Sequence, residues 1–133
     1  MPYADSDFFL ALIKKSDWLK AKAETALEKY SGNIWTSEWA VVEILLISKE
    51  FGLDPENVVV AIKELARIEG NVDKIISAAH LMKEKGLNTF DALHAVSCKN
   101  DEIISSEHVY DKLGLKRINI CGLKAAVFLH EWK

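Results

Sequence analysis

The sequence predicts an α/β fold in which short apolar strands alternate with helices. Two observations carry this prediction: capping residues mark the helix ends clearly, and brief apolar segments stand between the helices. Alternation of this kind is typical of βαβ units, whose parallel strands are covered by helices on both faces. The expected strands are Pro2–Ala4, Asn33–Trp35, Arg67–Glu69, Glu102–Ile104 and Lys116–Ile120.

Helix boundaries follow from local chemistry. The clearest start is Asp54-Pro55-Glu56, where an N-cap, a proline at the first helical position and a first-turn acid follow one another. Another helix is expected directly after Asp5. The other expected helices run from Ser16 to Tyr30, from Ser37 to Phe51, from Asp73 to Lys85, and from Asn88 or Thr89 to Cys98.

Length and composition indicate one soluble domain over residues 1–133. Half of the 133 residues are hydrophobic, which is enough for a core without cross-links. No apolar run approaches the ~18 residues of a membrane helix, and the chain start lacks a signal-peptide pattern, so a cytoplasmic protein is expected. The two cysteines, Cys98 and Cys121, are interpreted as reduced core residues.

The charge balance limits the partners. Seventeen basic and twenty acidic side chains give a net charge of −3, which argues against nucleic-acid binding by bulk charge alone. This net charge is still compatible with a local basic rim around an acidic site. Lysines after the first helix would form either such a rim or an ordinary solvated face; they are Lys14, Lys15, Lys20 and Lys22.

Four carboxylates draw attention by their positions. Asp5 directly follows the first strand, and Glu107 follows the fourth. Asp91 lies in the first turn of a helix, and Glu43 lies about two turns inside the helix after the second strand. Strand-to-helix junctions gather at the carboxyl edge of a parallel sheet, where sites form. Asp5 and Glu107 should therefore meet if their strands are neighbours.

Each acid also has an ordinary explanation. Asp5 fits a helix cap, while Asp91 and Glu107 fit first-turn acids that complement the helix dipole. Glu43 lies in the apolar run Ala40–Ile47, so it is expected to be buried, where an unpaired carboxylate is costly. A buried ion pair with a distant Lys or Arg is the alternative explanation for Glu43.

Clustered carboxylates would favour a hard divalent cation, Mg²⁺ or Mn²⁺, over zinc, because the chain lacks a Cys/His ligand pattern. Such a site binds phosphate oxygens and activates water. A phosphatase of the doubly wound type is disfavoured. The chain has no Gly-rich phosphate loop, and Phe9 occupies the last place of an Asp-x-Asp-x-Thr signature that would begin at Asp5.

Four segments together resemble the PIN-domain family, of the kind found as toxin ribonucleases in VapBC toxin–antitoxin pairs. Asn88–Ala95, with its Asp-Ala-Leu core, is the closest match. The other three matching segments are Tyr3–Leu12, Ser37–Glu43 and Ile103–Tyr110.

The resemblance implies a three-layer sandwich with a central parallel sheet of about five short strands in the order 3-2-1-4-5. It also implies an Mg²⁺- or Mn²⁺-dependent endoribonuclease. The expected partners are RNA, a small antitoxin protein and a second copy of the chain. Carried over to this sequence, the catalytic and metal-binding acids are Asp5, Glu43, Asp91 and Glu107, with Ser6 and Ser105 as supporting hydroxyls.

Two positions depart from the family pattern. Glu107 stands where Asp is commoner, so its carboxylate reaches one methylene further. Val109 occupies the place of a frequent additional Asp. These departures leave open an alternative function, a PIN-fold binding or scaffold module with weak or no nuclease activity.

Overall fold

A computed structural model of the protein describes residues 1–120. The chain divides into two compact units, the first from Met1 to Ser97 and the second beginning at Cys98. The predicted α/β class is confirmed. The described elements are α1 (Ser6–Ile13), α2 (Lys20–Tyr30), β1 (Trp35–Ser37), α3 (Glu38–Ile47), α4 (Pro55–Leu65), β2 (Arg67–Glu69), α5 (Val72–Lys85), α6 (Thr89–Cys98), β3 (Ile103–Ser105), α7 (Val109–Lys112) and β4 (Arg117–Asn119).

All strand pairing in the described residues is parallel. In the first unit, Tyr3 forms a bridge with Trp35, and β1 pairs with β2 so that Ser37 lies opposite Glu69. β1 is therefore the middle strand of the three, as the expected order requires. In the second unit, β3 pairs with β4. The weakest predicted strand, Arg67–Glu69, is confirmed as β2.

The sheet differs from the expected one. Instead of a single sheet of about five strands, the described residues form two two-stranded sheets and one isolated bridge. The first expected strand is reduced to Tyr3 because Pro2 has no N–H to donate and Asp5 already caps α1. The prediction of one domain over 1–133 stays a prediction, and Cys121 lies outside the described residues.

The start of α2 also differs from its prediction. It begins at Lys20 rather than after Ser16, because the Asp17 carboxylate accepts from the Leu19 N–H at 2.9 Å and holds a turn there. The Lys20 ammonium donates to the carbonyls of Leu12 and Lys14 at 3.1 and 2.9 Å. Lys20 thus satisfies carbonyls at the C-terminus of α1, where a positive charge is favoured.

The core of the first unit lies where α3, α4 and α5 pack together. Val58, Val59 and Ile62 of α4 are fully buried, so this apolar stripe belongs to the core of the chain. Phe9 of α1 and Ile44 of α3 are buried with it. Cys98 is a half-buried thiol rather than a fully buried one. Among the described residues, no helix has the length and apolar character that a membrane crossing needs.

A buried hydroxyl joins the first strand to β1. Thr36 is completely buried, and its Oγ1 donates to the Ala4 carbonyl at 2.7 Å. Replacing Thr36 with Val keeps the shape but leaves this carbonyl without its side-chain donor. We expect the free energy of unfolding to fall by about 1–3 kcal/mol, measured by urea denaturation.

Thr25→Val is the matched control, because the Thr25 hydroxyl donates to the Ala21 carbonyl at 3.0 Å on the exposed face of α2. Its effect should stay within about 0.5 kcal/mol. Equal losses for the two variants would contradict the role given to Thr36.

Candidate active site

Asp5 lies at the carboxyl end of the first strand and caps α1. Its Oδ1 accepts from the backbone N–H of Ser6, and the Ser6 hydroxyl donates to the same oxygen at 3.2 Å. The cap explanation for Asp5 is therefore correct as far as Oδ1 is concerned. Asp5 is exposed, and no hydrogen bond within the described residues uses its Oδ2. Asp5 therefore retains an oxygen that can bind a ligand.

Glu43 is exposed, and the expectation that it is buried is wrong. It lies on one face of α3 with Trp39 and Leu46, four residues before it and three after it, whose exposed fractions are 70% and 47%. The apolar run misled because helix orientation, and not apolar content, decides which side chains face the core. In the described part of the chain, no Lys or Arg forms an ion pair with Glu43, so the buried ion-pair alternative also fails.

Asp91 takes part in the start of α6. Its N–H donates to Asn88 Oδ1 at 2.8 Å, and its own carboxylate accepts from Asn88 Nδ2 at 2.9 Å. Asn88 thus satisfies an N–H of the first helical turn, as an N-cap side chain does, and the Asp91 carboxylate holds the Asn88 amide in place. Asp91 therefore has a structural role, whatever else it binds.

Glu107 belongs to the second unit and follows β3. Its N–H donates to Ser105 Oγ at 2.9 Å, while its exposed carboxylate has no hydrogen bond to any described residue. Ser105 thus orders the backbone that carries Glu107. The two expected supporting hydroxyls, Ser6 and Ser105, each contact the predicted acid nearest to them in sequence.

A nearly buried arginine organises the turn around Glu107. The Arg117 side chain is 7% exposed and donates from two nitrogens to the two Asp111 carboxylate oxygens, both at 3.1 Å. It also donates to the Ser105 carbonyl at 2.8 Å and contacts His108 Nδ1 at 3.0 Å. This bidentate pair closes the segment 105–111 into a fixed loop. Sequence reasoning missed it, because the contact depends on how β3 and β4 pair.

Several basic residues have structural partners. Lys14 pairs with Asp17 at 3.2 Å and lies 4.0 Å from the centre of the Phe51 ring, and Lys20 caps α1. Of the four lysines after α1, Lys15 and Lys22 therefore remain exposed and without an ion pair among the described residues.

Glu38 is a fifth acid near the strand ends. Its Oε2 accepts from the Asn71 N–H at 3.2 Å. A Cβ on the neighbouring Gly70, whose φ is +128°, would lie 2.5 Å from the same oxygen. Only glycine suits both this conformation and this close approach. Glu38 thus ties the end of β1 to the end of β2, which is a structural role.

Within residues 1–120, no group of three or more His, Cys, Asp or Glu side chains is arranged to hold a metal ion. The convergence predicted for Asp5, Glu43, Asp91 and Glu107 stays a prediction. The predicted donor set has the chemistry that a hard divalent cation prefers, because all four side chains are carboxylates. Of these, Asp5, Glu43 and Glu107 have no basic side chain within ion-pair distance in the described part.

Comparison with known proteins gives one match. A family model described as PIN domain matches residues 3–112. No curated protein and no solved structure matches the chain.

The ionic contacts of Asp111 predict its titration. Hydrogen bonds from Arg117, and secondarily from His108, hold the pKa of the Asp111 carboxyl below its ordinary value. This stabilisation is complete above about pH 4, the usual carboxyl pKa, and is lost as pH falls through the lower folded-state value. We expect Arg117→Met to raise the Asp111 pKa, measured by carboxyl chemical shift in an NMR titration.

Lys116→Met is the matched control variant, since Lys116 is exposed in the same unit and forms no ion pair with a described residue. It should leave the Asp111 pKa as it is in the unaltered protein. An unchanged Asp111 pKa in Arg117→Met would contradict the arginine contact.

Proposed function

The chain belongs to the PIN domain family, and we propose that it is an Mg²⁺- or Mn²⁺-dependent endoribonuclease that hydrolyses RNA phosphodiester bonds. Members of the family are generally nucleases, which supports this proposal. The catalytic and metal-binding acids in the proposal are Asp5, Glu43, Asp91 and Glu107.

The motif resemblance carries the assignment of the acids, and the surroundings of three of them are compatible with it. Asp5, Glu43 and Glu107 are exposed carboxylates without an ion pair in the described residues. None of the three forms a salt bridge with a described residue, whereas Asp17, Asp54 and Asp111 each form one. Their oxygens are therefore available to a cation.

The residues of the chain have distinct parts in this chemistry. A bound Mg²⁺ or Mn²⁺ supplies charge neutralisation at phosphate and lowers the pKa of water. Asp5 presents Oδ2 while its Oδ1 is fixed by Ser6, so its orientation is set before any ligand binds. Ser105 and Arg117 likewise order the loop around Glu107, since Arg117 binds the Ser105 carbonyl before Glu107 and the Asp111 carboxylate after it. Ordered ligands of this kind lose less entropy on binding.

A finer assignment rests on the motif resemblance alone. In it, the protein is the toxin of a VapBC-type pair in the cytoplasm, inhibited by a small antitoxin protein and active as a homodimer. Co-purification of a small protein encoded beside this chain would support the pairing. Recovery of the chain alone from its native cells would count against it.

Val109 motivates the alternative function, a PIN-fold binding or scaffold module. This half-buried residue stands where the family often has a further Asp, so one metal contact is missing. Calorimetry with Mn²⁺ separates the two functions. Binding at millimolar Mn²⁺ or below supports the nuclease, and its absence at that concentration supports the module.

Conservative replacement of the acids tests the nuclease directly. Asp5→Asn and Glu43→Gln should each reduce Mn²⁺-dependent RNA cleavage by at least about a hundredfold, because a neutral amide neither binds the cation well nor stabilises charge in the transition state. The readout is the initial cleavage rate of a fluorescent single-stranded RNA. The thermal midpoint should change little, because Asn caps a helix as well as Asp does and Glu43 is exposed.

Glu38→Gln is the control on the same helix as Glu43, because the Gln oxygen can still accept from Asn71. It should retain cleavage within about threefold, as expected for a residue outside the reacting centre. Full cleavage by the Asp5→Asn protein would refute the proposed function.

A further inference from the structure

A small aromatic cavity lies directly beside Asp5 in the first unit. Its volume is about 180 Å³, and Asp5 forms part of its wall. Three aromatic rings line it, from Tyr3, Phe8 and Tyr30, together with small or aliphatic side chains such as Ala26. Pockets for drug-sized ligands hold roughly 300–1,000 Å³. This cavity therefore suits one planar ring rather than a whole nucleotide.

Contacts with neighbouring residues fix two of the three rings. The Tyr3 hydroxyl is 2.8 Å from Ser37 Oγ, and the Tyr3 ring meets the Trp35 ring edge-on with centroids 4.8 Å apart. Phe8 packs in the same manner on Phe9, at 5.2 Å. Even so, Tyr3 is 49% exposed. Aromatic faces that are both fixed and accessible are suited to stacking with a ligand.

A second cavity lies beside the first, between α1 and α2. Phe8 and Ala26 line both, and the second cavity holds about 200 Å³. Lys22 and Asp7 both stand on the wall of the second cavity. The two neighbouring cavities thus present carboxylates at Asp5 and Asp7, aromatic rings and one basic side chain.

On the face of α2 that lines the cavities, the charged side chains favour a polyanion over an apolar ligand, while the exposed acids Glu24 and Glu28 lie on the opposite face. Lys22 and Lys29 are exposed and form no ion pair with a described residue, and the Lys29 ammonium lies 5.2 Å from the centre of the Tyr30 ring. Single-stranded nucleic acids are bound by this combination, in which aromatic rings stack on bases and basic side chains follow the phosphates. Lys14 and Lys20 do not contribute, since both have structural partners.

We propose that the aromatic cavity binds one unpaired base of a single-stranded RNA, with Lys22 and Lys29 contacting the phosphates of the same strand. The inference rests on the proposed function, because the base enters next to Asp5 and would bring the adjoining phosphodiester to that carboxylate. It adds a substrate requirement: one nucleotide near the cleaved bond must be unpaired and accessible to stacking.

Filling the cavity tests the site. Ala26→Phe places a ring in the space that the base would occupy, whereas Ala21→Phe adds the same ring at an exposed position of the same helix. Binding of a 5′-fluorescein hexaribonucleotide is measured by anisotropy at about 50 mM salt with EDTA, so no cleavage occurs. We expect Ala26→Phe to weaken binding about tenfold or more and Ala21→Phe to change it less than about twofold.

An abasic scan assigns the effect to a base. Six hexanucleotides, each with one abasic ribose, are measured against both proteins. One abasic position should weaken binding to the unaltered protein about tenfold and have no further effect on Ala26→Phe. Tyr30→Ala provides a second variant whose loss of a ring should reproduce the effect, and circular dichroism confirms that each variant is folded.

The outcomes separate this inference from the nuclease proposal. Equal binding by Ala26→Phe and unaltered protein, absence of RNA binding, or no sensitive abasic position overturns the inference. Cleavage with Mn²⁺ but without any base-dependent binding supports the nuclease proposal and refutes base binding in the cavity. Base-dependent binding without cleavage supports base binding in the cavity and refutes the nuclease proposal.

Discussion

The first unit depends on a few hydrogen bonds that join residues 2–4 to β1. These residues form only one isolated β-bridge, at Tyr3. Ala4 N–H donates to the Trp35 carbonyl at 2.9 Å, and Trp35 N–H donates to the Pro2 carbonyl at 3.1 Å. The buried Thr36 hydroxyl adds a third bond, to the Ala4 carbonyl. Because so few residues pair, each hydrogen bond contributes to the register of this segment against β1. Together they determine where α1 begins and where Asp5 lies.

The second unit solves a similar problem with a side chain. Its β3–β4 ladder is only three residues long, and Arg117 extends the connection by binding Ser105 and Asp111 at once. An arginine can do this because its guanidinium carries five donors in a rigid plane. A charged group therefore orders the loop that bears Glu107.

Local signals explain what the sequence predicted well. The Asp54-Pro55-Glu56 start of α4 and the Gly86 end of α5 lie where capping chemistry placed them, because caps involve only neighbouring residues. Orientation was harder to predict. Glu43 was expected to be buried since its neighbours are apolar, yet the face it shares with Trp39 points to solvent.

Contacts between distant residues could not be predicted at all. Lys20 reaches the end of α1 only because the chain reverses at Asp17, and Arg117 reaches Asp111 only in one register of β3 and β4. The aromatic cavity likewise requires Tyr3, Phe8 and Tyr30 from three different elements. Nothing in the spacing of these residues along the chain indicates that they meet.

The exposure of Glu43 has an evolutionary consequence. Replacing a buried acid would also destabilise the fold, since its loss would leave a cavity or an unpaired polar group. An exposed one can be replaced while the core of α3 stays intact. Selection on folding alone would then fail to preserve this carboxylate. Under the proposed nuclease function, lineages that lose catalysis would keep the same scaffold, which gives a route from a nuclease to a binding protein.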